Sequence, residues 1–99
     1  MKTKPVNDMY FCAALLNYGI ELDRIDAENK NRMIFHFIDM PVKVWKKDND
    51  IVSLVELLDL DQVELLYQSD RLMFLPTYHD SVRKMKSIIH SKKKVIYAE

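Results

Sequence analysis

The stretch that most constrains how this chain can fold is DMYFCAALLNY, residues 8–18. Met9, Cys12, Ala13 and Leu16 recur at the i, i+3, i+4, i+7 spacing of one helical face, and Phe11, Leu15 and Tyr18 form a second apolar stripe beside it. Asn7 or Asp8 supplies an N-cap oxygen. Gly19, the one glycine in the chain, stands where a left-handed residue ends a helix. A helix apolar around most of its circumference is either central to its domain or shared with a partner. With 99 residues, the chain makes a single domain, 1–99, able to bury roughly 65% of its unfolded surface in one core.

The next residues supply a sheet for that helix. Ile20, Leu22 and Ile25 lie in an extended run, AENKN reads as a polar turn, and Arg32 to Ile38 is rich in β-branched and aromatic residues. Met33, Phe35 and Phe37 alternate onto one face of this hairpin. A short third strand is expected around Val42–Trp45, with Pro41 placing it at an edge. Residues 50–58 read as a helix capped by Asp50, with Ile51, Leu54, Val55 and Leu58 as its buried face. A further helix starts near Asp61, or the two are one bent helix. RLMFLP is a short apolar segment, expected as a strand. The last helix begins with Thr77 as cap and Asp80 in its first turn, and Tyr78, Val82, Met85 and Ile89 share a face, with Ile88 beside them. The expected fold class is α+β, a small antiparallel sheet of a hairpin plus one or two short strands with three to four helices packed on it. Leu16, Phe35, Phe37, Val82, Met85 and Ile89 are its expected common core.

Several of these stretches resemble a family. NDMYFCAALLNYGIELDRID, RMIFHF, DQVELLYQSD and YHDSVRKMKSIIHS are similar to a small domain of unknown function found in phages and integrated mobile elements. Tyr10, Ala13, Ala14, Leu16 and Gly19 match its opening helix, Phe35 and Phe37 its F-x-F hairpin, and Met85, Lys86 and Ile89 its closing L-K-x-x-I helix, with methionine in place of leucine. Residues from Met40 to about Leu60 read as an insertion relative to that pattern, and KKKVIYAE runs past its end. The resemblance implies a phage or mobile-element product working in a bacterial cytoplasm. It brings no catalytic residue or ligand with it.

Composition narrows the chemistry. The 48% apolar and 30% charged content fits a globular, soluble chain. No apolar run approaches the ~20 residues of a membrane span. MKTKPVNDMYF lacks the apolar core of a secretory signal. The single cysteine, Cys12, has no internal disulfide partner, in keeping with a reducing compartment. It sits on an apolar helical stripe, where a thiol is usually inert packing. His36 is a lone strand histidine, expected to be structural. His79 and His90 lie roughly 16 Å apart along one helix, too far to share a metal within one chain. No phosphate loop, paired CxxC, HExxH or Ser-His-Asp spacing is present. No enzyme, cofactor or metal is expected.

The charges are sorted along the chain although they sum to zero. Residues 48–70 hold seven acids and no base, and residues 71–99 hold seven bases and two acids. Arg83, Lys84, Lys86, Lys92, Lys93 and Lys94 form a basic candidate surface, able to neutralise phosphates but offering only Arg83 for reading base edges. Glu56, Asp59, Asp61 and Glu64 form an acidic candidate surface on what reads as helix, suited to imitating phosphates in a basic groove of a partner or to pairing with the C-terminal lysines. The expectation is a small non-enzymatic interaction protein, an inhibitor of host defence or a regulator, bound to a host or phage protein. The alternative is a nucleic-acid-binding accessory protein using the last helix and lysine tail. Val95, Ile96 and Tyr97 are strand formers that should not sit free in water, so the tail 92–99 is expected to dock on a sheet edge or on a second copy. With the doubly apolar first helix, this favours a homodimer.

Overall fold

The computed structural model describes residues 2–29 and 32–97, and the side chains of 2–27 and 32–91. The elements run β1 (Thr3–Val6), α1 (Met9–Asn17), β2 (Leu22–Asn29), β3 (Arg32–Ile38), β4 (Val42–Asp48), β5 (Ile51–Leu58), α2 (Leu60–Gln68) and α3 (Tyr78–Tyr97). The fold is α+β, but with two small antiparallel sheets, β1-β3-β2 and β4-β5, in place of one.

The first helix is central. Phe11, Cys12, Ala13, Ala14 and Leu15 are buried and Met9, Leu16 and Tyr18 are partly buried, so both apolar stripes are largely covered within the chain, while Tyr10 stays exposed. Asp8 caps it, its carboxylate accepting from the Tyr10 N–H at 2.9 Å and the Phe11 N–H at 3.4 Å. The C-terminal end is a Schellman motif: Gly19 has φ 77°, its N–H donates to Leu16 O at 2.9 Å, and the Ile20 N–H donates to Leu15 O at 3.0 Å. α3 packs along α1 and contributes Met85 to the core, with Tyr78, Val82, Ile88 and Ile89 half-buried against it. Phe35, Phe37 and Met85 are fully in the expected core, while Leu16, Val82 and Ile89 lie at its margin.

The expected β2–β3 hairpin is present with the expected face inward: Met33, Phe35 and Phe37 are buried. The sequence reading missed β1, which pairs with β3 from Thr3↔Ile38 to Val6↔Phe35. Its Pro5 lies on an outer strand, where a missing N–H is tolerated.

The largest correction falls on residues 50–58, which are a strand and not a helix. β4 and β5 form a hairpin whose register runs from Lys47↔Val52 and Asp48↔Ile51 at the turn. The turn is Asn49–Asp50, with Asn49 at φ 56°, a left-handed position that asparagine accepts more readily than most residues. Asp50 is therefore a loop residue and caps nothing. The helical spacing of Val55 and Leu58 comes from a β-bulge. Val44 faces Val55 and Val42 faces Leu58, so β5 carries one residue more than β4, and Leu57 absorbs it at φ 62°. The bulge returns Leu58 to the face of Val55, three residues along, and imitates i, i+3. Ile51 and Leu54, expected in a buried helical face, are exposed.

α2 thus stands alone as a helix. It begins at Asp59, which forms a capping box with Gln62: the Gln62 N–H donates to Asp59 Oδ1 at 2.9 Å, and the Asp59 N–H donates to Gln62 Oε1 at 3.0 Å. Leu60 and Val63 are its buried residues. RLMFLP forms only a bridge, Lys46↔Leu72, on the outer side of β4. Thr77 stands at the N-cap of α3, its carbonyl accepting from the Ser81 N–H at 3.3 Å. α3 continues through Tyr97, so 95–97 is helical and not a strand added to a sheet edge. Whether the tail docks lies outside the described side chains.

Candidate protein-docking surface

The residues singled out from the sequence do not converge. Arg83, Lys84 and Lys86 are exposed along α3, as are His79 and His90. The side chains of Lys92, Lys93 and Lys94 lie outside the described residues. The acids do not share one helical face, because the segment that carries Glu56 is a strand. Glu56 reaches Lys43 across the β4–β5 hairpin at 3.5 Å. Asp59 is spent on the α2 cap. Asp61 and Glu64 both hold Lys4, Glu64 at 3.3 Å, and the Lys4 side chain is only 13% exposed. The acidic block therefore pairs with β1 and β4 and, through Asp48, with Arg71.

Burial and the Asp8 carboxylate push the Cys12 thiol up to about 12, so it stays protonated and unreactive at neutral pH. The Tyr67 hydroxyl donates to Asp8 Oδ2 at 3.2 Å; burial first, then the Asp8 charge and hydrogen bond, push its pKa up to about 12. Asp8 thus ties α2 to the start of α1. Among the described residues, no group of three His, Cys, Asp or Glu side chains is placed to hold a metal ion. No helix among them is long and apolar enough to cross a membrane.

The surface that stands out joins the strand expected around Val42–Trp45 to the segment 50–58 that the sequence reading took for a helix. On β4 and β5, alternation sends Val42, Val44, Ser53, Val55 and Leu58 inward and leaves Lys43, Trp45, Lys47, Val52 and Leu54 outward. Trp45 faces Leu54 across the outer surface, both some 40% exposed, and Leu57 at the bulge is 76% exposed. Lys43 and Lys47 frame this apolar row on β4, as Glu56 does on β5.

The hairpin is fastened on one side only. The Lys47 N–H donates to Arg71 O at 2.8 Å and the Met73 N–H to Trp45 O at 2.9 Å, so residues 71–73 satisfy the outer edge of β4. The Tyr18 hydroxyl, from the end of α1, accepts from the Trp45 N–H at 3.1 Å and donates to the Met73 carbonyl, locking both segments to the core. The far edge of β5 pairs with no strand among the described residues. Edge strands are usually blunted by lysine, proline or shortness. β5 is eight residues, IVSLVELL, with one charge, and only the bulge interrupts its edge. DND before a β-branched run was the available signal for this hairpin.

Comparison with protein-family models, with curated proteins and with solved structures found no match for this chain.

Proposed function

We propose that the protein is a small non-enzymatic interaction protein that docks another protein through the β4–β5 hairpin. The observation that carries this reading is the hairpin itself: an apolar row of Trp45, Val52, Leu54 and Leu57 left in water beside a strand edge that pairs with no strand among the described residues. Such surfaces are costly in isolation and are common where a protein meets a partner. The protein inertness of Cys12 and the dispersal of the carboxylates into caps and ion pairs support binding over catalysis. The resemblance to small phage and mobile-element domains supports a role inside a bacterium, as an inhibitor of host defence or a regulator. In that setting the segment from Met40 to Leu60, which reads as an insertion, supplies the hairpin.

The test is affinity capture from bacterial lysate, with and without nuclease treatment, using three baits: the parent chain, Leu54→Lys, and the triple charge reversal of Arg83, Lys84 and Lys86 to Glu. A partner retained by the parent and the α3 variant but lost with Leu54→Lys supports the hairpin. Capture lost only with the α3 variant, or only after nuclease, would replace it with the nucleic-acid reading.

A further inference from the structure

Between the inner side of the β4–β5 hairpin and α2 lies a groove of about 290 Å³. Its apolar walls are Val55 and Leu58 from β5 and Leu65 and Leu66 from α2, with Leu65 left 65% exposed. One end of the groove is cationic. Lys46 follows Val42 and Val44 on the inner side of β4, and Val44 faces Val55, so Lys46 is a diagonal neighbour of Val55 across the pair. Arg71 lines the groove from the turn after α2, where its N–H donates to Leu66 O at 2.9 Å. Gln62 stands one helical turn back along α2 from Leu65 and Leu66.

Among the described residues, each polar side chain lining the groove is left with donors to spend. Lys46 Nζ lies 3.3 Å from Asp48 Oδ2 and Arg71 Nε donates to Asp48 Oδ1 at 2.7 Å. Asp48 does not itself line the groove, and one carboxylate shared by two cations leaves one positive charge over. Arg71 gives Asp48 only its Nε–H, so the terminal nitrogens of its guanidinium remain as donors. Gln62 Oε1 already accepts from the Asp59 N–H at 3.0 Å, so its unspent group is the amide nitrogen. We propose that this groove binds a small amphiphilic carboxylate, its head on Arg71 and Lys46 and its apolar body along Val55, Leu58, Leu65 and Leu66. The donors and the surplus charge select an anionic head, and the guanidinium fork matches a carboxylate. A single surplus charge balances a monoanion, whereas a phosphate monoester carries about −1.5 to −2. The leucine and valine walls select an apolar body. The volume is at the floor of the ~300–1,000 Å³ range of ligand pockets, which selects a short one. The outer face of the hairpin plays no part in this site, so this proposal and the docking reading can fail separately.

The experiment is a titration of the full chain with sodium octanoate, followed by amide NMR. The expected result is a saturable set of shifts centred on Val55, Leu58, Leu65, Leu66 and Arg71. Butyrate keeps the head and shortens the body, and octylammonium keeps the body and reverses the head. Each should bind at least about tenfold more weakly than octanoate. Arg71→Glu should invert the preference, so that octylammonium binds better than octanoate. Leu65→Glu, at an exposed position that leaves the Asp48 contacts intact, should weaken octanoate at least about tenfold and so checks the apolar wall without touching the cations. Shifts that never saturate or that centre elsewhere would overturn the proposal. So would octanoate and octylammonium binding alike, or a preference unchanged by Arg71→Glu. Butyrate binding as tightly as octanoate would reduce the site to a surface anion contact and overturn it too. A leucine-ended peptide that binds through its free C-terminal carboxylate while octanoate does not would give the groove to a protein terminus instead.

Discussion

Lys4 shows how a single residue ties the N-terminal strand to the acidic block. Its side chain, nearly out of water, meets Asp61 and Glu64 together. Desolvation lowers its pKa, but the two carboxylates outweigh this and leave it above the ordinary lysine value. The hydrogen bond from Lys4 holds Asp61 below the usual carboxylate range. A carboxyl depressed on folding stabilises the fold above its unfolded pKa, about 3.9, and that contribution is lost as pH falls through the folded value. The melting temperature of the parent chain should therefore drop on acidification below about pH 4, and Lys4→Met should flatten that acid limb. An identical limb in both proteins would show that the pair contributes nothing. This contact was not legible in the sequence, because Lys4 and Asp61 are far apart in the chain and β1 was not foreseen. Phe35 and Phe37 were legible, since alternation within one strand needs no knowledge of its partners.

At the scale of elements, the contrast between α1 and β5 shows where sequence reading holds and where it fails. α1 carries its own punctuation, Asp8 at one end and Gly19 at the other, and both caps form as the residue types require. β5 carries a pattern with two readings. Ile51, Leu54, Val55 and Leu58 fit a helical face, but the residues are β-branched in part and follow a turn, and pairing with β4 decides. The bulge at Leu57 generated the misleading spacing. It also makes a test. A leucine at φ 62° is strained by about 1–2 kcal/mol, and its side chain is mostly in water, so Leu57→Gly should relieve that strain against a glycine entropy cost of roughly 0.5–1 kcal/mol. The expected result in a urea titration is no loss of stability or a gain of up to about 1 kcal/mol. Leu54→Gly, at a regular position opposite Trp45, should instead cost about 1 kcal/mol or more. Equal losses for the two would mean that no bulge sits at Leu57.

For the molecule as a whole, the sorted charges of the sequence resolve into two different fates. Four of the seven acids of 48–70, Asp48, Glu56, Asp61 and Glu64, fold back onto Lys4, Lys43, Lys46 and Arg71, so that part of their field is cancelled locally. Three bases of α3 are not drawn into that arrangement: Arg83, Lys84 and Lys86 stay exposed. An exposed basic stripe gives sequence-independent attraction to phosphates, with an affinity that falls steeply as salt rises. Base reading needs more than this. It needs a helix presented to a groove with several Arg, Asn or Gln side chains at its front, and the face here supplies one arginine among lysines. Duplex DNA should therefore bind no tighter than about 10⁻⁴ to 10⁻⁶ M near physiological salt, with no sequence preference. Fluorescence anisotropy across a salt series measures this directly. Tight, sequence-selective binding that disappears on Arg83→Ala would move the working surface from the hairpin to α3.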